Sequence, residues 1–84
     1  MQLEVITPTG GIFSGAVKLV KLPGSSGSFE ILNNHAAIIS ALTDGELKFE
    51  TEAGETIRYK TSGGIVEAKD NHIIVLVESL NKIL

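Results

Sequence analysis

The stretch Leu22-Pro23-Gly24-Ser25-Ser26-Gly27-Ser28-Phe29-Glu30-Ile31-Leu32-Asn33-Asn34-His35-Ala36-Ala37-Ile38-Ile39-Ser40-Ala41-Leu42-Thr43-Asp44-Gly45 decides how the rest of the chain is read. It opens with a bend at Pro23-Gly24 and bends again at Gly27, ahead of a short apolar strand from Phe29 to Leu32. Asn33-Asn34 then turn the chain into His35, and a second apolar run, Ala36 to Leu42, is stopped by Asp44-Gly45. Pro presets φ, Gly tolerates positive φ, and Asn and Asp bond their own backbone, so each of these residues punctuates for a physical reason. So many breaks in so short a span leave no room for a helix. They predict a folded corner of short strands, held in place by sheet on either side.

Upstream, Leu3, Val5 and Thr7 alternate with Glu4 and Ile6 in the manner of a strand, and Pro8-Thr9-Gly10-Gly11 reads as a turn. Ile12-Phe13 starts the next strand, and Gly15 within it marks a bulge or a close backbone approach. From Ala16 to Leu22, apolar residues fall on both faces, Val17 and Leu19 on one and Val20 and Leu22 on the other. Such a strand is buried on both faces, or it curls to serve two sheets.

Downstream, Glu46 to Glu50 and Thr56 to Lys60 alternate charged and apolar residues, joined as a hairpin through Glu52-Ala53-Gly54-Glu55. Gly63-Gly64 lets the backbone turn sharply or pass close to a neighbour. Ile65 to Ala68, a turn at Lys69-Asp70-Asn71, and His72 to Glu78 make one more hairpin. Ser79 to Leu84 is the one segment read as a helical turn. About eight to ten short strands without a sustained helical period predict an all-β sandwich or flattened barrel.

The 84 residues make a single domain, and a chain of this size buries only roughly 60–65% of its unfolded surface. A formal net charge of −3, no Trp and few aromatics argue against a nucleic-acid binder, which needs a basic face or stacking platforms. With no cysteine, disulfides and thiolate metal sites are excluded. The N-terminus lacks the basic-then-apolar pattern of a secretory signal, and no run approaches the ~20 apolar residues of a membrane helix. The expectation is a soluble, cytoplasmic protein whose membrane role, if it has one, comes through a partner.

Candidate chemistry is sparse. Gly24-Ser25-Ser26-Gly27 resembles a phosphate-cradling loop only superficially, because no lysine and no helix follow it. His35 and His72 have no third ligand at metal-binding spacing, the acids fall in turns or on solvated strand faces, and no serine has a nucleophile-elbow context. Lys69 supplies one alternative, since biotinyl and lipoyl carrier domains present a modified lysine on a hairpin of a small all-β domain. An exposed turn lysine is the plainer reading.

The run from Leu22 to Leu42 resembles the signature of the epsilon subunit of bacterial-type F1Fo ATP synthases: a Gly-x-x-Gly loop, an apolar strand, then His-Ala-Pro and an apolar run closed by Gly. Leu3-Glu4-Val5-Ile6-Thr7-Pro8 through Ile12-Phe13-Ser14-Gly15 resembles that family's N-terminal hairpin. Ser62-Gly63-Gly64-Ile65-Val66-Glu67 and Asn71-His72-Ile73-Ile74-Val75-Leu76 resemble its closing strands. The resemblance implies a sandwich of two five-stranded sheets at the foot of the rotating central stalk, between the gamma subunit and the polar loops of the membrane c-ring. It implies coupling of proton translocation to ATP synthesis without catalysis by this subunit, no cofactor, and a peripheral position on the cytoplasmic face of the bacterial inner membrane.

By the same resemblance, Thr7, His35 and Ser40 face gamma, and Ser25, Ser26, Gly27, Ser28 and Glu30 meet the c-ring. An acid common in the family is replaced by Ser28, with Glu30 nearby to substitute. The usual proline after His-Ala is Ala37, and Asn33-Asn34 replaces a Pro-Gly-like turn. Many members of the family continue into a two-helix C-terminal domain that can inhibit ATP hydrolysis, and with the sequence reaching only Leu84 no such helical brake is expected. Leu80, Ile83 and Leu84 are expected to be exposed and to pack on gamma.

Overall fold

The computed structural model describes residues 1–83 and is all-β. Nine strands follow one another: β1 (Gln2–Thr7), β2 (Gly10–Gly24), β3 (Gly27–Leu32), β4 (Ile38–Leu42), β5 (Gly45–Thr51), β6 (Thr56–Thr61), β7 (Gly64–Lys69), β8 (His72–Val77) and β9 (Leu80–Lys82). The long strand β2 organises them. Its first part, Gly10 to Ala16, pairs antiparallel with β1, and β1 continues through β8 and β7 to β4. Its second part pairs with β5 from Val17 to Lys21 and with β3 from Leu19 to Gly24, and β5 continues through β6 to β9. Counted in both layers, β2 makes two sheets of five strands from nine, the sandwich expected from the sequence. A single pair, Gly24 with Leu42, joins the end of β2 to β4 and brings the layers round into a ring.

The crossing of β2 between layers explains its double-faced composition. The register shifts between Val17 and Leu19, a bulge that bends the strand and adds twist. The extra residue, Lys18, puts Val17 and Val20 both on the inner side, where each is fully buried, while Leu19 turns outward beside Lys21. The expected pairing of Val17 with Leu19 on one face is therefore corrected. Gly15 is not the bulge either: it pairs with Leu3, and a Cβ there would lie 3.1 Å from the Phe13 ring folded over it. The other bulge falls in β1–β2, between Val5 and Ile6.

Alternation fills the space between the layers. Leu3, Val5, Val66, Ile73 and Val75 from one sheet meet Val20, Leu22, Ile31, Leu47 and Phe49 from the other, all at most 1% exposed. Phe13 and Phe49 meet with ring centroids 4.5 Å apart, and Tyr59 continues the row 6.2 Å from Phe49. Aromatic pairs at these tilted or offset distances add to their simple burial.

Pro23-Gly24 does not bend the chain as expected. Both are the buried end of β2, because the Pro23 carbonyl accepts from Thr43 N–H (2.8 Å) and Gly24 packs where a Cβ would meet Gly27 O at 2.6 Å. The turn is Ser25-Ser26, a two-residue hairpin loop between the paired Gly24 and Gly27, the latter at φ 123°. Among the described residues, Ser79 to Ile83 forms no helical turn. Leu80–Lys82 pairs with Tyr59–Thr61 as β9, and Leu80 is half-buried against the domain's own core. Ile83 is also half-buried, its N–H bonded to Arg58 O, and the reading of Leu84 lies outside the described residues.

Three stability tests follow. Gly27→Val puts a β-branched residue at a φ that only glycine adopts easily, with open space around the Cβ, so backbone strain alone should cost about 1–3 kcal/mol; chemical denaturation measures it, and an unchanged midpoint would contradict that geometry. A Cβ at Gly64 would sit 2.0 Å from Leu76 O, so Gly64→Ala should destabilise through packing, with a lowered Tm, although Gly64 has no positive φ. The third concerns Glu46, whose carboxylate takes two hydrogen bonds from Arg58 (2.9 and 2.8 Å) and is held below the usual carboxylate range by them. A carboxyl lowered on folding contributes stability above its unfolded pKa and loses it as pH falls through its folded pKa. Melting curves should therefore show Glu46→Gln below wild type at about pH 7, with the gap closing as pH falls through the lowered folded pKa of Glu46.

Candidate protein-interaction site

The corner around Asn33-Asn34 is fixed by amides. Leu32 to His35 form a turn closed by His35 N–H to Leu32 O (3.1 Å), with Asn34 at φ 64°. Asp70 and Asn71, both at positive φ, make the two-residue turn between β7 and β8, the conformation that matches strand twist in a hairpin. The two turns lock together: Asn71 Oδ1 accepts from Asn34 N–H (2.6 Å), and Asn71 Nδ2 donates to Asn34 Oδ1 (2.9 Å). The Met1 amino group reaches Asn33 Oδ1 (3.3 Å) at the same end. Asparagine is suited to this, since it tolerates left-handed backbone and carries both donor and acceptor.

His35 leaves this corner exposed. Its Nδ1 donates to the Ala36 carbonyl (2.7 Å), which frees Nε2 to accept from another molecule. Thr7 lies at the opposite end of the same sheet, its Oγ1 donating to Gly10 O (3.2 Å) and within 3.2 Å of Thr9 Oγ1. Ser40 lies between them on β4, opposite Val66, on the core side of the strand and half-buried. The fold thus spreads these three along one sheet and does not gather them. Ser25, Ser26, Gly27 and Ser28 are together and exposed at the β2–β3 hairpin tip, whereas Glu30 is exposed further along β3, opposite Lys21.

Periodicity alone pointed to no single site, but the register reveals one. Ile6 pairs with Leu76, Leu76 with Ile65, and Ile65 with Ala41, so one apolar row crosses four strands on the outer face. The adjoining row is mixed, Glu4–Ile74–Glu67–Ile39, and Ile12 flanks the apolar row at the β1–β2 bulge. Ile39 is 68% exposed, with Ile12 and Leu76 at 44% and Ile65 at 42%. Contiguous exposed apolar surface of this kind marks an interaction site in a folded domain. A groove of about 420 Å³ lined by Ile6, Thr7, Pro8, Ile65 and Leu76 closes one end of the row. The hairpin Ile65 to Ala68 and His72 to Glu78 was visible in the sequence; which strands lay side by side was not.

Among the described residues, no group of three or more metal-ligating side chains occurs, and no buried side-chain N or O lacks a partner. The closest approach of titratable groups outside the Arg58–Glu46 pair is exposed, His72 Nε2 to Glu4 Oε2 at 2.6 Å. Lys69 is the last residue of β7, paired with His72, and the turn tip itself is Asp70-Asn71, so the lysine is not presented at an apex. No described helix is long and apolar enough to cross a membrane.

Comparison with known proteins gives this geometry a context. The ATP synthase epsilon chain of Campylobacter fetus subsp. fetus is 40% identical over 78 residues, 93% of this chain and 60% of that protein. That of Wolinella succinogenes is 38% identical over the same length and shares. The chain thus spans about 60% of the length of these curated relatives. Among solved structures, a chain of the Euglena gracilis mitochondrial ATP synthase, in a structure of OSCP, F1 and c-ring, superposes with a TM-score of 0.86 at 20% identity, covering 95% of this chain and 51% of its own. A chain of the Tetrahymena thermophila mitochondrial ATP synthase central stalk and c-ring superposes at 0.77 and 24% identity, covering 95% and 64%. At those identities the likeness is one of fold. The family described as "ATP synthase, Delta/Epsilon chain, beta-sandwich domain" matches residues 1–83, and the chain belongs to it.

Proposed function

We propose that this chain serves as the β-sandwich domain of an ATP synthase epsilon subunit, a rotor component that joins the gamma subunit to the c-ring and does no chemistry of its own. In this reading it works peripherally, on the cytoplasmic face of a bacterial inner membrane, and couples proton-driven rotation to ATP synthesis in the catalytic head. Family membership and relatives named ATP synthase epsilon chain support it. The observation that carries it is the exposed apolar row Ile6–Leu76–Ile65–Ala41.

Gamma is assigned to that face, with Thr7 beside the groove at one end and His35 at the other. Ser40 lies beneath it, so the contacts on β4 fall to its outward neighbours Ile39 and Ala41. The c-ring is assigned to the opposite end from His35, where Ser25, Ser26, Gly27 and Ser28 offer hydroxyls and backbone groups to polar loops, with Glu30 behind them as the acid. Neither Leu80 nor Ile83 is needed for the gamma contact, since both are engaged within the domain. A sandwich packed through its core deforms little under load, as a torque-bearing element requires.

Co-elution with a cognate gamma subunit on a sizing column tests the assignment. Wild type and Thr56→Asp, on the far sheet, should form a one-to-one complex. Ile65→Asp should weaken it by about 2 kcal/mol or more, roughly 30-fold, while melting normally. His35→Asp should weaken it less. A complex broken by Thr56→Asp and spared by Ile65→Asp would overturn the assigned face, and no complex with folded partners would reduce the likeness to fold alone.

A further inference from the structure

The outer face of the second sheet has a different character. Five of the chain's seven Lys and Arg, namely Lys18, Lys21, Lys48, Arg58 and Lys60, lie on it, with three of its ten acids, Glu30, Glu46 and Glu50. This face therefore carries a formal +2, and the remainder −5, within a chain of −3. The cations are also not dispersed. Lys21 is directly opposite Lys48, and Lys48 directly opposite Arg58, so three like charges form one row across three adjacent strands.

Like charges directly opposite on one sheet face are destabilising, so this row opposes folding. The fold offsets part of it: Arg58 is held by Glu46, and Lys18 lies 3.8 Å from Glu50. Lys21 and Lys48 have no ion pair among the described residues, although Glu30 faces Lys21 across the β2–β3 pair. Glu46 also feels both lysines, yet neither is bonded, and a like-charge row that the fold offsets only in part points to a use in binding.

We infer that the Lys21–Lys48–Arg58 row is a second docking surface, which receives an acidic segment of a protein partner. Charge complementarity specifies the occupant, and the interleaved acids narrow it further. Glu30, Glu46 and Glu50 on the same face would be repelled by a uniformly anionic bilayer, whereas a protein segment can set carboxylates singly over Lys21 and Lys48. The inference does not rest on the gamma assignment, because this face and the apolar row are on opposite sides of the sandwich. Such contacts act mainly on encounter rate and register, and they weaken as salt rises.

The test is fluorescence anisotropy with a short labelled peptide of alternating Glu and Ser, at low and high salt. Wild type should bind it at low salt, and the Lys21→Gln/Lys48→Gln double variant should bind at least about fivefold more weakly, by loss of two charge contacts. Lys69→Gln, on the other sheet, should bind as wild type. The double variant should also melt no lower than wild type in low salt, since it relieves repulsion. No peptide binding, an equal loss with Lys69→Gln, or a lowered Tm of the double variant would overturn the proposal. So would tighter, Lys21- and Lys48-dependent binding to phosphatidylglycerol vesicles than to the peptide, which would make the face a lipid contact.

Discussion

The fold depends on the bend of β2 between its two layers. One continuous strand gives hydrogen-bond partners to β1, β5 and β3 in turn and meets β4 at Gly24. Because Lys18 bulges out, the strand can change layers while Val17 and Val20 both stay inside. The N-terminus is tied to the same place: Val17 N–H donates to Met1 O (2.9 Å), and the Met1 amino group reaches Val17 O (3.3 Å). A small domain has little core to spare, and sharing a strand lets each sheet gain a fifth member without extra chain.

That arrangement leaves two outer faces with different chemistry. Where charged residues alternate with core residues, in β5 and β6, the outer face is ionic; on the other sheet β8 turns Ile74 and Leu76 outward and β7 turns Ile65 outward beside Glu67 and Lys69, so that face is apolar along the Ile65–Leu76 row. A strand with one wet face has no need of Ile65, Ile74 and Leu76 outside, so their presence is a cost in solubility that burial under the proposed partner would remove. The hairpin tip Ser25-Ser26 between these faces is small and polar, a third kind of surface on a body with few residues to use.

Much of this was legible in the sequence. The alternations carried strand identity in β1, β5 and β6, the flanking turns at Gly63-Gly64 and Lys69-Asp70-Asn71 marked out β7 and β8, and the double-faced run in β2 carried the idea of a strand serving two sheets. Asn33-Asn34 read correctly as a turn, because an amide side chain supports a left-handed backbone locally. What failed needed tertiary information. Pro23-Gly24 has the composition of a turn, yet Pro23 tolerates the end of a strand where its missing N–H costs no ladder bond, and Gly24 is required by the Phe29 ring 2.7 Å from where its Cβ would be. Leu80–Lys82 is too short to show a period and becomes a strand only because β6 offers an edge. The apolar row was hidden for the same reason: its members, Ile6, Leu76, Ile65 and Ala41, are scattered along the chain and meet only through register.

In the proposed assembly the apolar outer face, not the hairpin tip or the ionic face, takes up the gamma subunit. Methyl NMR of isotope-labelled isoleucines, titrated with gamma, tests it residue by residue. Large shifts are expected at Ile6, Ile39, Ile65 and Ile74, with the buried Ile31 and the far-sheet Ile57 nearly unmoved. Shifts centred on Ile57, or an unmoved Ile65 in a complex that has formed, would contradict it.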